Sequence, residues 1–310
     1  MNSTDSTVIQ QGGIVGTYSI LSFISFCTVV TVARFIVTQE IPLQGKDLTL
    51  ASIFSPINVL LLLGCVSLMT IYIVRAINCS ISLDVGVGTL FTIEQFCLAT
   101  CETCYIFFSF KRSSKLFKIV LGYWAHSFIW YLTVLSPICF YSTLIPSLWP
   151  AAMPSSTKYA VFMTEVVAGS CVAIIDCLFV WAYITFIRRT HIDGEAPNEE
   201  FSVVAHTGMM ACCTVFLSTI LYGASFAFAD IRKHVVLVAS SQAVLVVLPM
   251  IQFRMKVLLF KIRGMDSISI DVGTKNRILS GDGMDAKLFG VRRFSTQPVR
   301  YSVTNKTSTL

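Results

Sequence analysis

Residues 96–118 read FCLATCETCYIFFSFKRSSKLFK. The stretch is apolar for most of its length, carries an acid at Glu102, and stops at four cations, Lys111, Arg112, Lys115 and Lys118. A long apolar run that ends in clustered Lys and Arg is the pattern of a membrane-spanning helix meeting the cytoplasm, where the cations anchor the boundary. The rest of the chain repeats the theme.

Of the 310 residues, 55% are hydrophobic and only 13% charged, whereas a soluble domain carries about 25% charged residues. Seven apolar stretches follow one another, at about 14–37, 50–75, 86–110, 119–143, 160–187, 203–229 and 235–253. Each is long enough, at about 1.5 Å of rise per residue, to cross a hydrocarbon layer of about 30 Å. Each is also apolar nearly all round, which leaves too little polar surface for a water-soluble bundle. The expected fold is an all-α membrane protein, a seven-transmembrane helix bundle.

Its orientation follows from the cations. With the N-terminus outside, 19 of the 23 Lys and Arg residues lie on the cytoplasmic side, as the positive-inside rule requires. The expected organisation is an extracellular N-terminus at 1–13, a transmembrane domain at 14–256 and a disordered cytoplasmic tail at 257–310. The leader MNSTDSTVIQQGG lacks the basic start of a signal peptide, so the first helix is expected to serve as both signal and anchor. Asn2 and Asn78 fit the glycosylation acceptor pattern on the outer side; Asn305 fits it too but falls on the cytoplasmic side.

Ionisable residues inside spans are costly and usually face the bundle interior. This chain places Glu94 and Glu102 in the third span, His126 in the fourth, and Glu165 and Asp176 in the fifth, with Asn58 and Gln242 adding polarity in the second and seventh. Asp176 follows Glu165 by three helical turns, so the two share nearly one face about 16 Å apart. They read either as one polar stripe along a cleft or as unrelated positions. Pro56, Pro137 and Pro249 read as hinges or static kinks.

Several chemistries are excluded or disfavoured. No nucleophile elbow, zinc-protease signature or phosphate-binding loop is present, so an enzyme is not expected. A retinal Schiff base needs a lysine in mid-span, and Lys256 falls at the cytoplasmic edge. Ten of the 11 cysteines fall inside spans, and Cys97, Cys101 and Cys104 share a helical face with no histidine beside them; packing, not metal, is the reading. No cofactor is expected, and nucleic acid is not an expected partner. A proton-linked secondary transporter or lipid-handling protein would use Glu102 and Asp176, but no internal repeat divides the spans into halves.

The tail holds Arg292-Arg293-Phe294-Ser295, with Ser295 a candidate for a basic-directed kinase, within a polybasic stretch suited to anionic membrane lipid. The loop after Arg188 and Arg189 switches from basic to acidic, as a docking loop for a cytosolic protein can.

LATCETCYIFFSFKRSSKLFKIVL, with Ala99, Glu102, Thr103, Phe117 and Lys118, resembles the third helix and following loop of the fungal alpha-factor-type peptide pheromone receptors, the class D G-protein-coupled receptors. The resemblance continues from Lys158-Tyr159 to Arg188-Arg189, through His206 at the opening of the sixth helix, to Leu248-Pro249 in the seventh. Gly12 and Gly16 match that family's small-residue motif, which lets helices pair closely and implies a possible homodimer. The chain departs from the family in its sixth helix, where Ser218-Thr219 replace a proline, and in its external loops.

The resemblance implies a plasma-membrane receptor that binds an extracellular peptide, a mating pheromone, and signals to a heterotrimeric G protein. Its expected ligand contacts are Glu165, Tyr222, Ser225, Phe226 and Phe228. Glu102, Asp176 and Pro249 would form the conformational switch. Lys111, Arg112, Lys115, Lys118, Arg188 and Arg189 would face the G protein.

Overall fold

The computed structural model describes residues 3–43, 49, 53–80, 87–145, 154–193, 199–228 and 231–262. They belong to a compact unit, Met1–Met265, separate from a second at Asp266–Leu310. Asn2, Ser295 and the chain beyond Ile262 lie outside the described residues.

The described secondary structure is helical. It comprises α1 (Ser3–Phe35), α2 (Pro56–Ser80), α3 (Val87–Tyr141), α4 (Pro154–Asp193), α5 (Glu199–Ser225) and α6 (Ile231–Leu245). After α1 the chain winds one π-helical stretch, Ile36–Glu40, closed by the Ile41 amide on the Ile36 carbonyl. Pro56 opens α2, where its missing N–H costs nothing, so it starts a helix instead of bending one. Among the described residues, six helical segments are long and apolar enough to cross a membrane, the last being Lys233–Ile262.

The 55 residues of α3 would reach about 80 Å if straight, far beyond one bilayer. They do not run straight. Gly122 sits at φ 80°, ψ 176°, a region open almost only to glycine. On either side of it the chain folds back on itself. Ser114 Oγ lies 2.8 Å from His126 Nε2, and Thr100 Oγ1 lies 3.0 Å from the Tyr141 hydroxyl. Phe110 meets His126 and Phe96 meets Tyr141 with ring centroids 5.5 and 5.8 Å apart. Residues 87–121 and 123–141 are therefore antiparallel.

In the second limb, Pro137 strips the Thr133 carbonyl of its helical partner. The Ser136 hydroxyl donates to that carbonyl at 2.9 Å instead. The last helix breaks at Val246, three residues before Pro249, and resumes to Ile262. A proline ring clashes with the carbonyl four residues back, here that of Leu245, which accounts for the break. The helix thus extends beyond residue 256, into the stretch expected to start the tail.

Neighbouring helices pack in chain order, and α1 touches α6 to close the ring. The end holding Ser80 and Tyr222 is called upper below, and that holding Gly122 and Glu199 lower. Large apolar side chains cover the outside of the bundle, while the buried polar and charged groups are gathered inside it among an apolar core. Phe23, Trp124, Tyr131, Ile138 and Ile220 are each at least 60% exposed, while Asn58, Glu94, Gln95, Asp176, Gln242 and Lys256 are buried. A soluble protein would invert this arrangement; it is that of a multi-pass membrane protein.

Candidate functional site

Between the upper halves of α2 to α6 lies a cavity of about 130 Å³. Its wall is mostly apolar, with polar groups converging at a few points, which is the usual composition of a ligand site. One face of α4 supplies Glu165, Ala168, Gly169 and Val172, spaced so that successive turns present them on the same side.

On the α2 side, Arg75 reaches inward and is held from several elements. Its Nε donates to Glu94 Oε1 of α3 at 2.6 Å, and Nη1 donates to the Tyr18 hydroxyl of α1 at 3.3 Å. The Gln242 amide of α6, with its oxygen turned toward the guanidinium, accepts at 3.1–3.2 Å. The Tyr72 hydroxyl donates to the Gln242 carbonyl at 2.7 Å, four residues before the break at Val246. Arg75 thus clasps α1, α3 and α6 together just above the bend in the last helix.

Opposite, Glu165 Oε1 accepts from Gln95 Nε2 at 3.1 Å, and Oε2 accepts from the Tyr222 hydroxyl at 2.9 Å. Glu102 also lines the cavity. Among the described residues no hydrogen bond or ion pair reaches its carboxylate.

Tyr105 forms part of the floor and donates to Asp176 Oδ1 at 2.8 Å. Asp176 is fully buried one turn below Val172, and Cys212 Sγ stands 3.6 Å from the same oxygen. Beneath them an apolar plug closes the bundle, with Phe117 stacked on Phe179 at 5.1 Å and Tyr183 held by Ser113 at 2.6 Å. Gly208 makes room for it, since any Cβ there would meet the Tyr183 ring at 2.5 Å.

At the lower end a second polar cluster forms. Lys256, only 3% exposed, donates to Glu40 Oε2 at 2.5 Å and to Asn58 Oδ1. Asn58 in turn donates to the Ile53 carbonyl at 3.2 Å. Lys256 was expected at the edge of the span; the helix buries it, and it ties the π-helical stretch and α2 to the last helix.

The structure gathers some of the expected residues and scatters others. Glu165 and Tyr222 meet in the cavity. Ser225 is buried but donates to the Tyr222 carbonyl at 2.6 Å, and Phe226 packs edge-on against Tyr222 at 5.2 Å. Phe228 lies under Lys233, and none of these last three lines the cavity. Glu102 is in the wall, Asp176 under the floor, and Pro249 below the break in the last helix. Lys111, Lys115, Lys118, Arg188 and Arg189 are exposed at the lower end, while Arg112 is half-buried over the Phe108 ring. At Gly12 and Gly16 no neighbouring atom of the described residues lies within 4 Å of where a Cβ would stand. Asn78 sits in the last turn of α2, and the Ser80 hydroxyl of its acceptor pattern donates to the Ala76 carbonyl at 2.7 Å.

Ser218 bonds the Ser241 hydroxyl at 2.9 Å and so links α5 to α6. Sequence reasoning missed Arg75 and Gln95 as site residues. A cation at the end of an apolar run reads as a boundary, and its acid lies 19 residues away in the next helix.

Comparison with protein-family models, with curated proteins and with solved structures gives no match to this chain.

Proposed function

We propose that the chain is a plasma-membrane receptor of seven crossings that binds an extracellular peptide and activates a heterotrimeric G protein. The count follows if each limb of α3 crosses once. An odd count sends the two chain ends to opposite faces, and the distribution of Lys and Arg puts the upper end outside. The resemblance of the third helix, fifth helix and Leu248-Pro249 to the alpha-factor-type pheromone receptors supplies the ligand class and partner. The protein then signals and catalyses nothing.

One observation carries this reading: an internal cavity walled by five helices, with an unpaired carboxylate, sits above a plug and a basic lower surface. A ligand entering it touches α3 to α6 at once. It biases the bundle only to the extent that it binds one arrangement more tightly than another. The last helix is the natural mover, because its break lies between the Arg75 clasp and the Lys256 cluster.

A second reading has an observation in its favour. Glu102, Tyr105 and Asp176 form a column of ionisable groups, as a proton-linked transporter would use. That column ends on the Phe117–Phe179 stack.

Co-expression with a G protein and a panel of candidate peptides separates the two. A receptor accelerates guanine-nucleotide exchange with at least one peptide, and Glu102→Gln changes basal exchange while surface expression stays intact. Unchanged exchange in both experiments, with pH-dependent solute uptake in vesicles, would overturn the proposal in favour of transport.

A further inference from the structure

We infer that the cavity receives a cationic nitrogen group of its ligand, a guanidinium or ammonium on an apolar stem, between Glu102 and Glu165. This rests on the reading of the cavity as the ligand site.

The charges around the cavity do not balance. Arg75 is committed to Glu94 through its Nε at 2.6 Å and through a second nitrogen. Glu165 and Glu102 are then left without a cation. Glu165 takes neutral donors from Gln95 and Tyr222; Glu102 takes none among the described residues. Two carboxylates that face one enclosed space repel each other, and a cation placed between them relieves both.

The hydrogen-bond inventory leans the same way. Gln95 is 3% exposed and lines the cavity, yet its Oε1 has no partner. Three hydroxyl donors of the wall are spent: Tyr222 on Glu165, Tyr105 on Asp176 and Ser218 on Ser241. What remains open, on Glu102 and Gln95, is acceptors. A buried acceptor without a partner is costly, so the group that completes Gln95 is a donor.

A guanidinium brings five N–H groups in one plane and an ammonium three. A carboxylate or phosphate would instead add a third negative charge. Leu98, Val172 and Leu248 give the cavity an apolar wall, suited to the methylene stem of an arginine or lysine side chain.

The test uses the purified full-length protein in detergent, with unfolding followed by a thiol-reactive dye that reports exposure of the buried Cys65, Cys104 and Cys212. The probes are Nα-acetyl-L-arginine amide and its neutral near-isostere Nα-acetyl-L-citrulline amide at equal millimolar concentration and ionic strength, with sodium chloride against N-methylglucamine chloride as a further arm. Arginine amide is expected to raise the midpoint by about 2–4 °C and citrulline amide to leave it unchanged. The rise should disappear in Glu102→Gln and shrink in Glu165→Gln, each compared with its own unliganded midpoint, so that one poorly folding variant does not decide the matter.

Equal shifts from both amides, no shift from either, or an arginine shift that survives both substitutions would overturn the inference. So would a shift produced by sodium with no preference between the amides, which would mark an inorganic-cation site. No G protein enters this measurement. Loss of nucleotide exchange with the arginine preference intact would sink the receptor reading alone, and the reverse pattern would sink this inference alone.

Discussion

Arg75 is the residue on which the upper half of the bundle turns. Its side chain is 19% exposed and that of Glu94 only 7%, so each keeps its charge in a largely dehydrated place because the other is there. Removing one partner of such a pair leaves a buried charge with nothing to answer it, at a cost of about 3–5 kcal/mol. Removing both costs far less. Arg75→Met should therefore lower the unfolding midpoint of the detergent-purified protein sharply, and Arg75→Met with Glu94→Gln should recover much of the loss. Tyr18 and Gln242 stay in both variants as neutral partners. If the double variant is as unstable as the single one, the pair is not what holds these helices.

The same residue shows what a sequence gives up and what it withholds. Glu94, Asn58 and Gln242 were visible as polar groups in apolar spans, and the structure joins them to Arg75 and Lys256. The cations were misread because each closes an apolar run in sequence while its partners stand on other helices. Lys256 finds Glu40 and Asn58 at separations of 216 and 198 residues. Local pattern cannot hold such a pairing. It did reveal that the chain is built of long apolar helices, since lipid demands an unbroken apolar run and little else.

Among the elements, the α3 hairpin depends most on a single position. The basic cluster from Lys111 to Lys118 announced that the third span ends there, but the reversal falls on Gly122, whose φ of 80° with an extended ψ of 176° excludes a side chain by backbone strain. Space is not the obstacle, because nothing lies within 4 Å of where a Cβ would stand. Gly122→Ala should cost about 1–3 kcal/mol and loosen Ser114 from His126. Gly223→Ala, which also meets no neighbouring atom and has no positive φ, should be tolerated. Comparing the unfolding midpoints of the two variants isolates the backbone term from any effect of added volume. Equal midpoints would show that the reversal accommodates a side chain.

At the scale of the molecule, the decisive property is that polarity runs inward. Exposed aromatics such as Trp124, at 88%, are left largely uncovered by the described residues and are stable there against lipid or its interface. The number of crossings then turns on whether both limbs around Gly122 span the bilayer. If each limb of α3 spans the bilayer, the segments at 81–86 and 146–153 lie on the same side; if residues 87–141 cross once, they lie on opposite sides. The cation distribution adds that the shared side is the outer one, with 194–198 inside. Short epitope tags inserted singly in these segments and probed with antibody on intact cells should therefore be reachable at 81–86 and at 146–153. A tag at 194–198 should become reachable only after permeabilisation. Opposite accessibility at 81–86 and 146–153 would leave an even number of crossings. The two ends of the described bundle would then share one face of the membrane, and the receptor topology of an outer ligand cavity above a basic cytoplasmic surface would lose its support.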